Sequence, residues 1–419
     1  MNTLVEPAAP RARVAFPFVA TYALAYFSIF LALLTPVVVT LALRVAQIDP
    51  AHKESSLSWI LGAGAAVAMV ANPVAGLFCD RTTSRLGMRR PWLVGGLAVG
   101  MLGLYLVATG GLALIGLGWC IAQLGYNAVL AAIVAILPDQ VPEAQRGSVS
   151  GVLGICLQLG IVAGVFLTQY TAGSTVAMFM VPAAIGALLV LALVAVLRDR
   201  IRPSAGLPRL DLLAFVKSFW IDPRVAPDFA WAFASRFLLM IGISILLTYQ
   251  VYYLIDHLHF RPDQIPAAMT RSMITNTLAT VVGSLISGWW SDRLGRRKVF
   301  VLAAALIYAC GLALIGLANR FDAFQVGNAI AGLGQGVYLA IDLALVTAVL
   351  PNRDQDAAKD LGIFNIASAM PQSLAPAIAP AFLVIGAGSG AHNYTALFMA
   401  AAAFAGAGAL AILPIRAVR

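Results

Sequence analysis

The sequence predicts an all-α membrane protein with twelve transmembrane helices arranged in two pseudo-symmetric six-helix bundles. Three observations predict this fold: an apolar composition, a motif that occurs twice, and one polar segment near the middle of the chain. Of the 419 residues, 61% are hydrophobic and only 11% are charged, and the mean hydropathy is +0.90. This composition excludes an ordinary soluble domain of the same length.

The apolar runs predict the individual helices. The hydrocarbon core of a bilayer is about 30 Å thick, so each spanning helix needs roughly 20 apolar residues. The runs place helices at about 16–43, 57–78, 91–109, 112–137, 148–169, 175–197, 229–255, 267–290, 299–318, 323–350, 361–385 and 392–413. Several prolines fall inside these runs and predict kinks, since neighbouring helices in lipid can satisfy the freed carbonyls.

The repeated motif indicates an internal duplication. The stretch GLFCDRTTSRLGMRRP at 76–91 returns in shorter form as GWWSDRLGRRK at 288–298, with the two Asp-Arg pairs 212 residues apart. A second landmark, LPDQVPEAQR and LPNRDQDAAK, places Pro138 and Pro351 213 residues apart. Two landmarks at almost the same offset, close to half the chain, predict two similar halves.

One long polar segment separates these halves. Residues 198–228 are rich in Pro, Gly and basic side chains, which is typical of a linker. The predicted domains are therefore an N-terminal six-helix bundle at 1–197, a cytoplasmic linker at 198–228, and a C-terminal six-helix bundle at 229–419. Within the linker, LLAFVKSFW is compatible with a short amphipathic helix on the membrane surface.

The basic residues predict the orientation in the membrane. If the N-terminus is cytoplasmic, 21 of the 27 Lys and Arg residues lie in cytoplasmic segments and only four lie in the opposite loops. Cytoplasmic loops of membrane proteins carry such an excess of Lys and Arg, so both termini are expected in the cytoplasm. The protein itself is expected in the inner membrane of the cell. The net charge of +9 then reflects topology and contact with the lipid bilayer, and no nucleic acid is expected as a partner.

The sequence contains no pattern typical of an enzyme. The four cysteines are scattered singly without a CxxC pair, so neither a zinc site nor a disulfide framework is indicated. There is no HExxH, no nucleotide-binding loop and no cluster of carboxylates at membrane depth. We therefore expect no catalytic residues, no metal and no cofactor. A membrane-embedded enzyme or a receptor is the least favoured alternative, and a receptor would not need the doubled loop.

The GxxxDR motif, followed by Gly and paired basic residues, resembles that of the major facilitator superfamily of secondary transporters, and the resemblance covers essentially the whole chain. The longer form DRTTSRLGMRRPW resembles the corresponding loop of the glycoside/pentoside/hexuronide cation symporters and of the proton-coupled sucrose carriers. The resemblance implies the major facilitator fold and alternating access driven by an ion gradient. It implies a small-molecule solute and protons as partners, and a monomer as the working unit.

The repeated loop is a candidate cytoplasmic gate. A Gly at a helix end allows another backbone to approach closely, and an adjacent Asp can lie against the positive N-terminal end of a neighbouring helix. The basic residues can pair with acids such as Glu143 or Asp360 when the inside face closes. The alternative is that the arginines only enforce topology and bind anionic lipids. The gate residues are Gly76, Asp80, Arg81, Arg146, Gly288, Asp292 and Arg293.

Asp342 is the one acid predicted at membrane depth, where a charge is costly and is a candidate site by default. It precedes Pro351 by nine residues and Arg236 follows Asp228 by eight, so both lie roughly 12–13 Å from the same face. In the resembled fold their helices, the seventh and tenth, line the central cavity. We expect Arg236 and Asp342 to meet there and to couple transport to protons. A permanent ion pair that only fixes helix packing is the alternative.

Polar and aromatic side chains at helical spacing predict a polar cavity. Amides bind hydroxyl groups and aromatic rings cover the apolar faces of sugars, so these stripes favour a neutral polyhydroxylated solute. For any one of them, hydrogen bonding between helices is the alternative role. The candidate cavity residues are Tyr22, Tyr26, Gln123, Tyr126, Asn127, Tyr249, Gln250, Gln335, Tyr338, Asn365 and Gln372.

Two departures from the resembled families refine the function. The second helix contains no acid, so sodium coupling is disfavoured and proton coupling is expected. The fifth helix lacks the Gly-Pro pair of drug/proton antiporters, which disfavours efflux. We therefore expect proton-coupled symport of a sugar or similar small polar solute, with proton-coupled export of a drug or metabolite as the alternative. Asp256, His257 and His259 are expected to be solvated loop residues, with pH sensing as the alternative.

Overall fold

The computed structural model describes residues 14–199, 201, 224, 226–294, 297–349, 357–386 and 392–416. Within these ranges, the side chains of residues 143–144, 288–292, 294, 297, 343–344, 347–348, 357–363 and 365 are not described. Most of the predicted linker at 198–228, with its amphipathic stretch, therefore lies outside the described residues.

The described residues form twelve long helices and no strands, which confirms the predicted fold class. Helix α1 runs from Phe16 to Thr35 and continues through a π turn at Pro36–Thr40 into Leu41–Ile48. The others are α2 Lys53–Asp80, α3 Arg90–Thr109, α4 Leu112–Gln140, α5 Glu143–Thr171, α6 Thr175–Val196, α7 Pro227–Tyr252 with a π turn at Tyr253–His257, α8 Ile265–Leu294, α9 Arg297–Gly316, α10 Phe321–Val349, α11 Ala357–Leu383 and α12 Tyr394–Leu410. Among the described residues, nine helical spans are long and apolar enough to cross a membrane.

The turn between α1 and α2 is shorter than predicted. Helix α1 continues past the expected end near residue 43, and the guanidinium of Arg44 in this extension donates to the carbonyl of Gly110 at 2.9 Å. Helix α2 begins at Lys53, four residues early, and its Ser56 hydroxyl donates to Asp49 at 2.6 Å across the turn. We call this end of the molecule the Lys53 end and the opposite one, where α2 ends, the Asp80 end.

Close packing of glycines shows the similarity of the two halves. A Cβ atom on Gly125 of α4 would lie 2.3 Å from the backbone nitrogen of Gly100 on α3. A Cβ atom on Gly311 of α9 would lie 2.4 Å from the backbone nitrogen of Ala331 on α10. The third and fourth helices of each half therefore pack with their backbones in direct contact, which only glycine allows.

Among the described residues, the hydrogen bonds between the two halves lie at the Lys53 end. Helix α2 packs along α11, α5 packs on α8, and the π turn of α1 packs on α7. The prolines of α11 take part in this interface. Pro380 has no N–H to bond the carbonyl of Pro376, and the hydroxyl of Tyr249 on α7 donates to that carbonyl instead, at 3.3 Å. The predicted kinking prolines thus lie inside helices, and a neighbouring helix satisfies the freed carbonyl.

Candidate functional site

Arg236 and Asp342 form an ion pair between α7 and α10. Nη1 of Arg236 lies 3.0 Å from Oδ2 of Asp342, and Nε of Arg236 donates to the hydroxyl of Ser368 on α11 at 2.7 Å. The guanidinium carbon lies 4.8 Å from the centre of the Phe364 ring, a cation–π contact. The predicted meeting of the two residues is present, and α11 supplies two further contacts.

The Asp342 carboxylate is only partly satisfied. The residue is 6% exposed, and Tyr338, one turn earlier on α10, adjoins the carboxylate. Oδ1 has no hydrogen-bond partner among the described residues. An uncompensated charge at this depth is costly, and the guanidinium of Arg236 offsets part of the cost of burying an ionised carboxylate. We call Arg236, Asp342, Tyr338, Phe364 and Ser368 the Arg236 network.

Three candidate cavity tyrosines are enclosed between helices instead. Tyr22 is fully buried, and its hydroxyl donates to the carbonyl of Ile133 at 3.0 Å. Tyr126 is also fully buried, with its ring against Gly100 of α3. Tyr249 is fully buried between α2, α7 and α11, with its hydroxyl 2.5 Å from that of Ser58. The prediction that these three line a cavity is wrong for this arrangement, because helical spacing does not specify which neighbour a face meets.

The amide side chains form two different environments. On α4, Nδ2 of Asn127 donates to Oε1 of Gln123 at 3.0 Å, and Asn72 of α2 donates to Asn127 at 3.4 Å. These three side chains are an amide cluster inside the N-terminal half. Gln250 on α7 is 1% exposed, and neither atom of its amide has a hydrogen-bond partner among the described residues. Unsatisfied buried amides are uncommon.

The remaining candidates differ in exposure. Tyr26 is half-buried, with its ring centre 5.0 Å from that of Phe30. Gln335 is half-buried on α10, and Gln372 is exposed on α11, one turn from Ser368, whose carbonyl it contacts at 3.4 Å. The side chain of Asn365 lies outside the described residues.

The first copy of the repeated loop contacts its own half. Arg89, at the start of α3, lies 2.6 Å from Asp80 and 2.8 Å from Asp139. Asp199, just after α6, accepts hydrogen bonds from the backbone nitrogens of Arg89 and Arg90 at 2.7 and 2.8 Å. Asp199 thus occupies the position at the α3 N-terminus that the sequence assigns to Asp80. The carboxylate there interacts favourably with the helix dipole.

The other gate candidates are placed as follows. The close backbone approach expected at Gly76 is not present among the described residues, since a Cβ atom at this position would have no atom outside its own helix backbone within 4 Å. Arg146 donates to the carbonyls of Val141 and Pro138 within its own half. Arg81 directly follows the last residue of α2, and Arg293 is exposed in the last turn of α8. Gly288 and Asp292 lie in α8, and their side chains are not among those that the structure describes.

A family model called Major Facilitator Superfamily matches the chain over residues 15–274 and 232–419. The chain belongs to this superfamily. It is a multi-pass membrane transporter and not an enzyme. The expected resemblance is therefore confirmed at the level of the superfamily.

Solved structures of other superfamily members share this architecture. The nucleoside transporter NupG superposes with a TM-score of 0.71 at 13% identity, over 95% of this chain and 98% of that one. A bacterial homologue of the lysosomal transporter Spinster, inward-facing and unoccupied, superposes with a TM-score of 0.69 at 14% identity, over 96% and 99%. At these identities the likeness shows the fold alone.

Curated superfamily relatives match over short segments. The arabinose-proton symporter of Bacillus subtilis (strain 168) is 35% identical over 71 residues, which is 17% of this chain and 15% of that protein. Myo-inositol transporter 3C of Cryptococcus neoformans var. grubii is 36% identical over 75 residues, which is 18% of this chain and 12% of that protein. The matched segments thus span well under two thirds of the length of these relatives.

Two contributors to the sites of this superfamily member, Phe364 and Glu54, are absent from the sequence prediction. Ser368, by contrast, shares the polar stripe of the eleventh helix with Asn365 and Gln372, so its spacing is a usable signal. Phe364 carries no such signal, because an aromatic residue on an apolar helix is usually core packing. Glu54 is 3% exposed although it lies in the first turn of α2, a position typical of solvated residues; residues far along the chain cover it.

Proposed function

We propose that this transporter works by alternating access and carries out proton-coupled symport of a sugar or similar small polar solute. The observation that carries the proposal is the buried Arg236–Asp342 pair, in which one carboxylate oxygen has no hydrogen-bond partner among the described residues. In one state the guanidinium neutralises the carboxylate; in the other, Asp342 binds a proton and Arg236 keeps only Ser368 and Phe364 as partners. The transporter needs no cofactor, and a proton gradient supplies the energy.

Polar side chains on the three helices of the Arg236 network support a solute with hydroxyl groups. Gln335 on α10 is half-buried and Gln372 on α11 is exposed. The amide of Gln250, about 21 Å from Arg236 along α7, has no hydrogen-bond partner among the described residues. Each of these amides can both donate to and accept from a sugar hydroxyl. Two relatives whose names specify arabinose and myo-inositol point to the same solute class. The exporter alternative uses the same proton site with the opposite direction of solute movement.

The distribution of basic residues supports a sidedness for this proposal. The Asp80 end carries the basic loops, so we assign it to the cytoplasm together with both termini, and the Lys53 end to the exterior of the inner membrane. The contacts of α2 with α11, α5 with α8 and α1 with α7 close the Lys53 end. The described arrangement is then closed to the outside, and closure of the gate loops at the Asp80 end belongs to the opposite state.

Transport into proteoliposomes tests this proposal. Radiolabelled pentoses, hexoses and polyols are offered with the interior or the exterior acidified, and proton movement is followed with an enclosed pH-sensitive dye. We expect a sugar or polyol to accumulate when the exterior is acidic, with protons entering alongside it. Expulsion under the same gradient would show the exporter, and solute movement without proton movement would contradict coupling.

Asp342→Asn is the decisive variant. We expect it to retain downhill exchange of the solute but to lose accumulation and proton entry. The matched control is Asp322→Asn, an exposed acid in the first turn of the same helix, which should accumulate solute normally. Full accumulation by Asp342→Asn would show that the ion pair has only a packing role.

A further inference from the structure

A second group of titratable side chains joins the two halves at the Lys53 end. Lys53 and Glu54 come from the first turn of α2, Asp256 from the end of α7, and His392 and Tyr394 from the start of α12. We call these five residues the Glu54 cluster. Asp256 was expected to be a solvated loop residue, but its carboxylate contacts both Lys53 and Tyr394, so that expectation is wrong.

The hydroxyl of Tyr394 lies between two carboxyl groups. Its oxygen is 3.0 Å from Oε1 of Glu54 and 2.5 Å from Oδ2 of Asp256. A phenol has one hydrogen, so it donates to one of these oxygens and can only accept from the other. If both carboxyl groups were ionised, one contact would bring together two oxygens without a hydrogen between them. One additional proton removes this conflict.

The other contacts indicate where that proton lies. Nζ of Lys53 is 2.5 Å from Oδ1 of Asp256, and Nε2 of His392 is 3.2 Å from Oε2 of Glu54. The side chain of Glu54 is 4% exposed and that of Asp256 is 28% exposed. A negative charge is therefore more stable on Asp256, which is closer to water and to the ammonium group of Lys53. Glu54 is the carboxyl group from which water is excluded.

We propose that the Glu54 cluster is a proton-binding site in which protonated Glu54 donates to Tyr394, Tyr394 donates to Asp256, and the bound proton holds the Lys53 end closed. In this arrangement every contact has a donor and an acceptor, since the Nε2–H group of His392 donates to Glu54 and Lys53 donates to Asp256. The positive charge of Lys53 balances the negative charge of Asp256. The site is distinct from the Arg236 network and does not depend on its coupling role.

The remaining ionisable groups nearby do not supply this proton. Asp49, on the turn between α1 and α2, accepts a hydrogen bond from Ser56, which is the main reason its pKa lies below the ordinary value. Asp49 therefore stays ionised. The groups that face the cluster from each packed element are Asp49 from the α1–α2 turn, Lys53 from α2, Tyr249, Tyr252 and Asp256 from α7, and His392 and Tyr394 from the α12 side.

Opening of the Lys53 end would separate the residues of the Glu54 cluster. Glu54 moves with the N-terminal half, whereas Asp256, His392 and Tyr394 move with the C-terminal half, so opening exposes Glu54 to water. A hydrated Glu has a pKa of about 4.3 and releases its proton at neutral pH. The closed form thus binds one more proton than the open form. By linkage, lowering the pH raises the ratio of closed to open molecules by up to tenfold per pH unit.

Distance measurements by electron–electron resonance test the site without any transport assay. A variant with the four native cysteines replaced carries spin labels at Ala51→Cys and Asn319→Cys, exposed positions on opposite halves at the Lys53 end. In lipid nanodiscs without solute, we expect the short-distance, closed population to increase between about pH 8 and pH 5. A distance distribution that does not change over this range would overturn the proposal.

Glu54→Gln is the main variant, because its amide NH₂ donates to Tyr394 as the protonated acid does, while its carbonyl accepts from His392. We expect it to remain closed at every pH tested. Tyr394→Phe, which removes the bridging hydroxyl, should increase the open population and is a second test if Glu54→Gln folds poorly. Asp263→Asn, an exposed acid at the same end, is the control and should behave as the parent.

Two results would contradict this assignment. Pronounced pH dependence retained by Glu54→Gln would show that another group binds the proton. If His392→Gln lost the pH dependence of the closed population while Glu54→Gln kept it in full, the proton would lie on the imidazole of His392. The infrared C=O band of a protonated carboxyl supplies independent support: it should be present in the closed parent and absent from Glu54→Gln. Failure of proton-coupled transport would leave each of these results unchanged.

Discussion

Removal of Arg236 isolates the energetic role of the ion pair. Arg236→Gln leaves the Asp342 carboxylate, which is 6% exposed, without its counter-charge. Breaking a buried pair in this way costs about 3–5 kcal/mol of unfolding free energy. At pH 7 this loss of unfolding free energy has an upper limit of about 4 kcal/mol, because the folded variant can protonate Asp342 instead of burying its charge. Protonating a carboxyl with an ordinary pKa of about 3.9 costs roughly 1.4 kcal/mol for each pH unit above that pKa.

The reverse substitution should cost less. Asp342→Asn leaves Arg236 with a side chain that is 18% exposed and that keeps Ser368 and Phe364 as partners, so we expect a loss of about 1–3 kcal/mol. In the double variant Arg236→Gln/Asp342→Asn neither charge is left unpaired. Its loss should be smaller than the sum of the two single losses by about 2 kcal/mol or more.

Chemical unfolding in detergent micelles measures these values for the four proteins of the cycle. The deficit of Arg236→Gln should shrink by about 1.4 kcal/mol for each unit that the pH falls from 7 toward 4, since its folded form holds a proton that the unfolded chain releases. The variant is therefore most destabilised at high pH. Additive losses in the cycle, or a deficit independent of pH, would refute a buried and interacting pair.

Two further substitutions test the packing. Gly125→Ala should lower the unfolding free energy by about 1–3 kcal/mol, since its Cβ meets the α3 backbone. Gly95→Ala, whose Cβ has no atom of another described element within 4 Å, should be neutral or stabilising. Equal effects of the two substitutions in thermal unfolding would contradict this difference in packing. Tyr22→Phe should cost about 1 kcal/mol by losing its buried hydrogen bond while leaving solute affinity unchanged, so a weaker affinity in binding measurements would return Tyr22 to the cavity.

The fold and the ion pair were predictable from the sequence for a simple physical reason. Apolar length defines a spanning helix, and two opposite charges at equal depth on neighbouring helices have few other ways to reduce their desolvation cost. Arg236 and Asp342 therefore meet as expected. Depth along a helix follows from counting residues at a fixed rise, whereas the resemblance to the superfamily supplied the expectation that these two helices are neighbours.

Other site residues depend on which neighbour covers a helix face, and a single sequence does not contain that information. Tyr126 and Asn127 are adjacent, yet Tyr126 packs against α3 while Asn127 bonds Asn72 of α2. Glu54 is buried by Tyr394, 340 residues later. Helix-end position alone indicates a solvated residue, so only the meeting of the two halves reveals that it is enclosed.

The attachment of Asp199 to the first turn of α3 fixes the point at which the connection between the two halves leaves the N-terminal bundle. Pro227, where α7 starts, is 28 residues further on, and a chain of that length spans at most roughly 90–100 Å. That upper limit is about three times the roughly 30 Å hydrocarbon thickness. The number of connecting residues therefore does not restrain a rocking of the two bundles, and the surfaces that touch set its amplitude.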